Sequence, residues 1–426
     1  MSLPAADLSK QPDNRTTMEL GAVLPLTAEV KDDHLYVGGV DMVELAREQG
    51  TALYVMDEAD MRTRMETYLA AFRSRYQNSD VVYASKAFLN KEAARIVADE
   101  GLCLDVSGGG ELAIALAAGF PTERIFMHGN NKTPRELREA IQAGVGRIII
   151  DSRIELRRIS EIAGELGVEQ PVYMRITPGV EADTHQYIRT GCEDSKFGFT
   201  MREDFAFRCV ADVLATPNVR LAGLHCHIGS QIFALHSYPE AVEVMVELMA
   251  RIEEGYGYRI EELDVGGGLG VNYDVPENEP IPNFASLFSI VHNHLSVGDR
   301  EVHFEFGRSI VAECGELITK VLFNKTTATG RKLVIVDASM TELIRPALYG
   351  SYHNIENITS EDEARDKYTI VGTACESTDV FDENVTLRKT RRGDLLTIKS
   401  AGAYGMSMAS RYNLRDLPRS VYSDEL

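Results

Sequence analysis

The sequence predicts a TIM (β/α)8 barrel followed by a mainly C-terminal β domain. Three observations carry this. Eight short apolar runs alternate with helical patterns between residues 81 and 306, and polar residues follow nearly every run. Beyond residue 310 the amphipathic helices stop, and strand-like runs are divided by charged turns.

The eight runs are VVYA (81–84), LCLDV (102–106), RIFM (124–127), RIIID (147–151), VYMRI (172–176), LAGLHC (221–226), ELDV (262–265) and EVHFEF (301–306). Helix signals stand between them. Thr133-Pro134-Arg135-Glu136 predicts a capping box with proline at the first helical position, closed by Gly144. Ser152 to Glu155 repeats the device and ends near Gly167, while Gly101 and Gly119 end the two preceding helices. An open doubly wound sheet is the alternative, but eight units fit closure. In a barrel the strand ends share one face, where catalytic groups gather.

The second domain is expected from LITKVLF (317–323), KLVIVDAS (332–339), KYTIVGTAC (367–375) and DLLTIKSAGAY (394–404). Residues 28–40 also read as strand and come too early for the barrel. The plan is therefore a loose tail over 1–18, a segment 19–50 joining the β domain, a barrel over 51–309 and a β domain over 310–426.

The formal net charge is −21, a surface that repels phosphate backbones and anionic membranes, so neither nucleic acid nor membrane is expected as a partner. Six cysteines without a CxxC pair, a polar opening without a signal-peptide pattern and no apolar run of spanning length point to reduced thiols in the cytoplasm.

Lys86 stands at the end of the first predicted strand, where burial would lower its pKa and leave an amine able to form a Schiff base; a lysine snorkelling to the rim is the plain alternative. After the sixth strand comes HCHIGSQI, in which His225 and His227 have the spacing of a metal pair. After the seventh comes DVGGGLG, whose backbone amides suit a phosphate but whose glycines equally suit a tight turn. After the eighth comes EFGRSI, with Glu305 and Arg308. A lysine, a phosphate cradle, a flat imidazole and a buried carboxylate are together what pyridoxal phosphate requires. A metal site would leave Lys86, the glycines and Arg308 without a task.

YASKAF, HCHIGSQI, DVGGGLG, EFGRSI, RPALYG, CES and GAYGMSMASRYN resemble, in consistent order from about residue 30 to 420, the diaminopimelate decarboxylases, fold-type III enzymes with an alanine racemase-like architecture. The segment 177–199 belongs to the same pattern. The resemblance implies pyridoxal 5′-phosphate as cofactor, an amino-acid substrate and a homodimer with shared active sites. It implies that Lys86 carries the cofactor, that His227 stacks on its ring and that Glu305 pairs with the pyridine nitrogen. Ser230, Gly267, Gly268, Gly307 and Arg308 would line the phosphate site, with Tyr404 also at the cofactor. Arg308, Arg345, Tyr349, Glu376 and Tyr404 match substrate positions, and Cys375 matches the proton donor, in a segment lent by the partner subunit. The family's Glu-Pro-Gly-Arg turn is here Glu305-Phe306-Gly307-Arg308, so an aromatic ring replaces a fixed φ. The implied reaction is decarboxylation of meso-2,6-diaminopimelate to L-lysine. Related decarboxylases of ornithine, arginine or carboxynorspermidine are the alternative, against which Arg345 argues, because simple diamine precursors offer no distal carboxylate.

Overall fold

A computed structural model describes residues 24–77, 79–180, 191, 195–274, 281–295 and 297–418. The expected tail over 1–18, Cys192 and most of the 181–194 stretch of the family-like segment lie outside these residues. The chain divides into two compact units. One holds Met61–Asn272 and the described residues up to Ala312; the other holds the described residues up to Asp60, those from Tyr273, and those from Glu313 onward.

The first unit is a closed barrel of eight parallel strands: β1 (Val81–Ala84), β2 (Cys103–Val106), β3 (Ile125–Met127), β4 (Arg147–Ile150), β5 (Gln170–Thr177), β6 (Val219–Cys226), β7 (Glu262–Asp264) and β8 (Glu301–Phe306). Pairing runs β1 through β6 in chain order, then to β7 and β8, and β8 returns to β1, so no edge is left open. All eight predicted strands are present. Gly101, Gly119, Gly144 and Gly167 stand at or just past the ends of the helices they were expected to close. Thr133 and Glu136 form a reciprocal capping box over Pro134–Ala143, and Gly144 takes the left-handed turn that stops it. Ser152 caps Arg153–Leu166 by accepting from the Glu155 N–H, but the expected return bond from Glu155 is diverted. Its carboxylate instead accepts from the Asp151 N–H at 2.8 Å and from Lys132 Nζ at 3.0 Å. A buried ammonium outcompetes a backbone amide for that carboxylate.

Side chains alternate across each strand, so residues two apart share the barrel interior. Val82, Cys103, Phe126, Ile149, Tyr173 and Ala222 form one apolar interior layer. Two residues further along, toward the strand ends, the layer turns polar: Asp105, His128, Asp151 and Arg175 follow, all buried. The same level receives His225, Asp264 and Glu305 from β6, β7 and β8.

Phe306, the departure from the family turn, closes β8 in register with Tyr83. Its ring is buried in an aromatic cluster, with centroids 5.1 Å from Tyr68 and 5.5 Å from Phe284. The altered position thus adds apolar packing beneath the turn.

In the second unit, β9 (Gly315–Thr326) is the organiser. Its first half lies between Leu53–Met56 and β14 (Leu395–Ile398), both antiparallel to it. Its second half pairs with β10 (Lys332–Val336), which leads to β12 (Arg365–Val371) and β13 (Val380–Arg388), while β11 (Ile355–Asn357) covers β14. The pairing of Leu53–Met56 with β9 is why this unit extends to Asp60. Residues 29–41 form a small three-stranded meander whose Leu35 and Val37 pack with Leu53, Ile318 and Leu395.

Candidate active site at the barrel strand ends

Lys86 lies in a single 3-10 turn directly after β1, and its Nζ stands 3.4 Å from the buried Asp105 carboxylate of β2. Its side chain keeps 39% exposure, so it is not the sealed lysine the sequence suggested; a carboxylate faces it instead. Asp105 in turn accepts from Ser107 Oγ at 3.3 Å.

Glu305 is buried near the end of β8 with an imidazole at each oxygen. His128 Nε2 is 2.6 Å from Oε1, and His225 Nε2 is 3.2 Å from Oε2. Burial pushes the Glu305 carboxyl up, but the two imidazoles outweigh it and hold the group well below the usual carboxylate range. Asp264 next to it goes the other way: burial, then the negative charge of Glu305, raises it. Two adjacent carboxyls are therefore driven apart, one ionised and one neutral.

His225 and His227 do not converge as a metal pair. His225 turns to Glu305, whereas His227 Nδ1 accepts the Gly267 N–H at 3.2 Å. Burial, then Lys86 and Arg175, lowers the His227 pKa well below its ordinary value, so the ring is neutral and flat-faced at the mouth.

The glycine run answers to a packing demand as well as to chemistry. A Cβ on Gly267 would fall 1.7 Å from the Glu305 carbonyl oxygen, and one on Gly268 would fall 2.3 Å from that of Gly229. Two of its amides are already committed, Gly266 to Asp264 at 2.8 Å and Gly267 to His227. Gln231, which the sequence reading passed over, clamps the loop to its neighbour: it accepts the Val271 N–H at 3.2 Å and donates to the Val271 carbonyl at 2.6 Å. Ser230 Oγ meets Arg308, whose Nε and Nη2 lie 3.3 and 3.1 Å away. Gly307 lets the turn lie against the end of β1, since a Cβ there would lie 2.7 Å from the Ala84 carbonyl oxygen.

The remaining predicted residues belong to the second unit. Arg345 is buried, donates to His353 Nε2 at 2.8 Å, and lies over the Tyr273 ring at 4.5 Å. The Lys399 carbonyl at 2.9 Å fixes His353 as the tautomer that can accept from arginine. Tyr349 is half-buried at the end of the same short helix, Arg345–Tyr349. Tyr404 is half-buried with φ +57°, a left-handed backbone that tyrosine adopts only under constraint. Cys375 and Glu376 are exposed at the tip of a turn anchored by the buried Asp379.

The layer of Asp105, His128, Arg175 and Asp264 was missed as a site by sequence reasoning. Its signal was present in the charged or imidazole residue at or next to the end of each of LCLDV, RIFMH, VYMRI and ELDV.

Comparison with known proteins agrees with this geometry. Residues 59–312 match the family model for the pyridoxal-dependent decarboxylase, pyridoxal binding domain. Among curated proteins, the chain is 39% identical to diaminopimelate decarboxylase of Bacillus subtilis over 91% of this chain and 90% of that one. It is likewise 39% identical to that of Mycobacterium tuberculosis H37Rv, over 96% and 92%. Among solved structures, diaminopimelate decarboxylase from M. jannaschii in complex with L-lysine superposes with TM-score 0.86 at 36% identity, covering 93% of this chain and 92% of that one. That of Helicobacter pylori, also complexed with L-lysine, superposes with TM-score 0.80 at 35% identity, covering 87% and 91%. The chain belongs to the diaminopimelate decarboxylase family of pyridoxal-dependent enzymes.

Proposed function

We propose that the chain decarboxylates meso-2,6-diaminopimelate to L-lysine and carbon dioxide with pyridoxal 5′-phosphate, the last step of lysine biosynthesis. The observation that carries this reading is the extent of the likeness, which covers more than nine-tenths of the chain and so runs through both units.

The donor set fits the cofactor. A carboxylate held ionised inside the barrel calls for a cation opposite it, which a protonated pyridine nitrogen supplies. Lys86 would hold the cofactor through its amine, His227 would cover a ring face, and Ser230, Gly267, Gly268, Gly307 and Arg308 would line the phosphate end, with Tyr404 beside it. Bound there, the group supplies an electron sink for the pair left when carbon dioxide departs.

The chain's own residues do the rest. Asp105 aims the Lys86 amine, and Glu305 keeps its charge because two imidazoles face it. Arg345 presents a guanidinium already pinned by His353 and Tyr273, suited to grip the distal carboxylate of the substrate with little further loss of freedom. Glu376 would take the distal ammonium, and Tyr349 and Arg308 would border the substrate. Cys375 would deliver a proton to the carbon that loses carbon dioxide. Exposure of Cys375 and Glu376 on their own chain supports a homodimer in which they complete the partner's site.

No described helix is long and apolar enough to cross a membrane. Five described cysteines are free, which supports a reducing cytoplasmic location.

Product analysis tests the reading. Purified protein supplied with pyridoxal phosphate is offered meso-diaminopimelate, ornithine, arginine and carboxynorspermidine separately. L-lysine formed at the highest kcat/KM supports the assignment, and preference for any of the other three overturns it.

A further inference from the structure

Glu305, the proposed partner of a ring nitrogen, is a carboxylate held ionised inside a barrel. Water is excluded from it, and an isolated buried carboxylate takes up a proton instead of remaining charged. The groups around it come from five strands and a helix. Tyr68 lies on the Glu58–Arg73 helix, and Asp105, His128 and Arg175 come from β2, the end of β3 and β5. Cys226 and His225 come from β6, with His227 just beyond, and Asp264 from β7.

Two imidazoles set a ring nitrogen against the oxygens of Glu305, and the neighbouring Asp264 also hydrogen-bonds to it. The His128 and His225 rings meet edge to face, with centroids 4.9 Å apart at 70°, and each puts its Nε2 against a different oxygen of Glu305. His225 is fully enclosed, and burial lowers its pKa to about 3, so it is neutral at working pH. A neutral imidazole carries one N–H. The Nδ1 atom of His225 is buried and finds no hydrogen-bond partner among the described residues. An idle lone pair there costs less than a stranded N–H, so the proton belongs on Nε2, aimed at Glu305. Arg175, a nearby guanidinium, stands over the Phe197 ring at 4.3 Å.

We propose that His128 and His225 are positioning residues that hold Glu305 between them, His225 by an N–H on Oε2 and His128 by its Nε2 set against Oε1, fixing the carboxylate plane and keeping it ionised for the cofactor's ring nitrogen. The His225 arm is selective because that donor is uncharged. A lysine or arginine in its place would neutralise Glu305 and repel a protonated ring. The neutral His225 imidazole stabilises the carboxylate and leaves its negative charge to be answered by the ligand. Asp264, kept neutral alongside, does not dilute that charge with a second anion. The inference rests on the proposed pyridoxal chemistry, through Glu305.

The test uses the pH dependence of cofactor binding, read by absorbance titration of apoprotein with pyridoxal phosphate, alongside the pH profile of kcat. Removing a donor raises the Glu305 pKa, so the ionised form is lost sooner as pH falls. His128→Leu and His225→Leu should each move the acid midpoint of binding upward by about one pH unit and weaken binding roughly tenfold at pH values below that midpoint, on the scale of one charge-assisted hydrogen bond. His128→Gln and His225→Gln, whose amide N–H reaches the same place as Nε2, should restore most of the shift. In a Glu305→Gln background, His225→Leu should produce no further movement of the midpoint. If the leucine variants fail to fold, His225→Asn, which stays polar but cannot reach Glu305, should show the same upward shift. Folded variants with an unmoved midpoint, or an equal His225 effect without Glu305, would overturn the clamp. Failure of the wild-type protein to bind pyridoxal phosphate would overturn the parent reading instead.

Discussion

Asp379 holds the Cys375 turn from beneath: its Oδ2 accepts the Ala374 N–H at 2.7 Å while its Oδ1 accepts the Met340 N–H, also at 2.7 Å. Gly372 makes room, since a Cβ there would lie 2.4 Å from that carboxylate. Asn413 fixes the other side by accepting the Cys375 N–H at 2.8 Å. The thiol is exposed, yet the backbone that carries it is tied at both flanks. Asp379→Ala should strand two amides at about 1–3 kcal/mol. Turnover should fall severalfold and the rate of Cys375 alkylation should change, both measured on folded protein. Unaltered turnover would remove Asp379 from the account.

Arg345 is held by His353 and the Tyr273 ring before any substrate arrives. Arg345→Ala should raise KM for meso-diaminopimelate tenfold or more, matching the roughly 1.5–3 kcal/mol of a hydrogen bond to a charged group. His353→Phe should raise it less, since the charge remains but its aim is lost. Steady-state kinetics on both variants checks the order.

Glu316 on β9 is fully buried, and burial pushes its carboxyl from 4.5 up to about 8 despite the Thr397 hydroxyl donating to it. A raised folded-state pKa means that stability is fully present below pH 4.5 and is lost as pH rises through about 8. Glu316→Gln, neutral at every pH, should therefore gain on wild type across that interval, by a few kcal/mol once wild-type Glu316 must ionise. Urea unfolding at pH 5 and pH 9 reads the difference; equal values at both would contradict the buried neutral acid.

Lys86→Ala and Cys375→Ala proteins should each be nearly inactive, and mixing them should restore part of the activity. Mixed dimers would hold one site with both residues intact. No recovery after demonstrated subunit exchange would place the whole site within one chain.

Much of this was legible in the sequence because the barrel repeats one physical pattern. Continuous apolar strands, capping residues and helix-ending glycines mark each unit, and Lys86, His227 and Glu305 stand where strands end. What escaped depended on partners distant in sequence. Asp264 and Glu305 look alike as carboxylates, and only the imidazoles beside one of them make their protonation differ. β13 escaped because VFDENVTLR has an exposed, polar middle, and Leu53–Met56 because its partner strand begins at Gly315. Glu155 reads locally as half of a capping box, and a lysine 23 residues away decides otherwise.

The most direct test of the central claim is release of carbon dioxide and L-lysine from meso-diaminopimelate by the purified protein. The account predicts stoichiometric products that require pyridoxal phosphate and vanish in Lys86→Ala. Turnover that persists in folded Lys86→Ala protein, or none in the pyridoxal phosphate-loaded wild type, would contradict it.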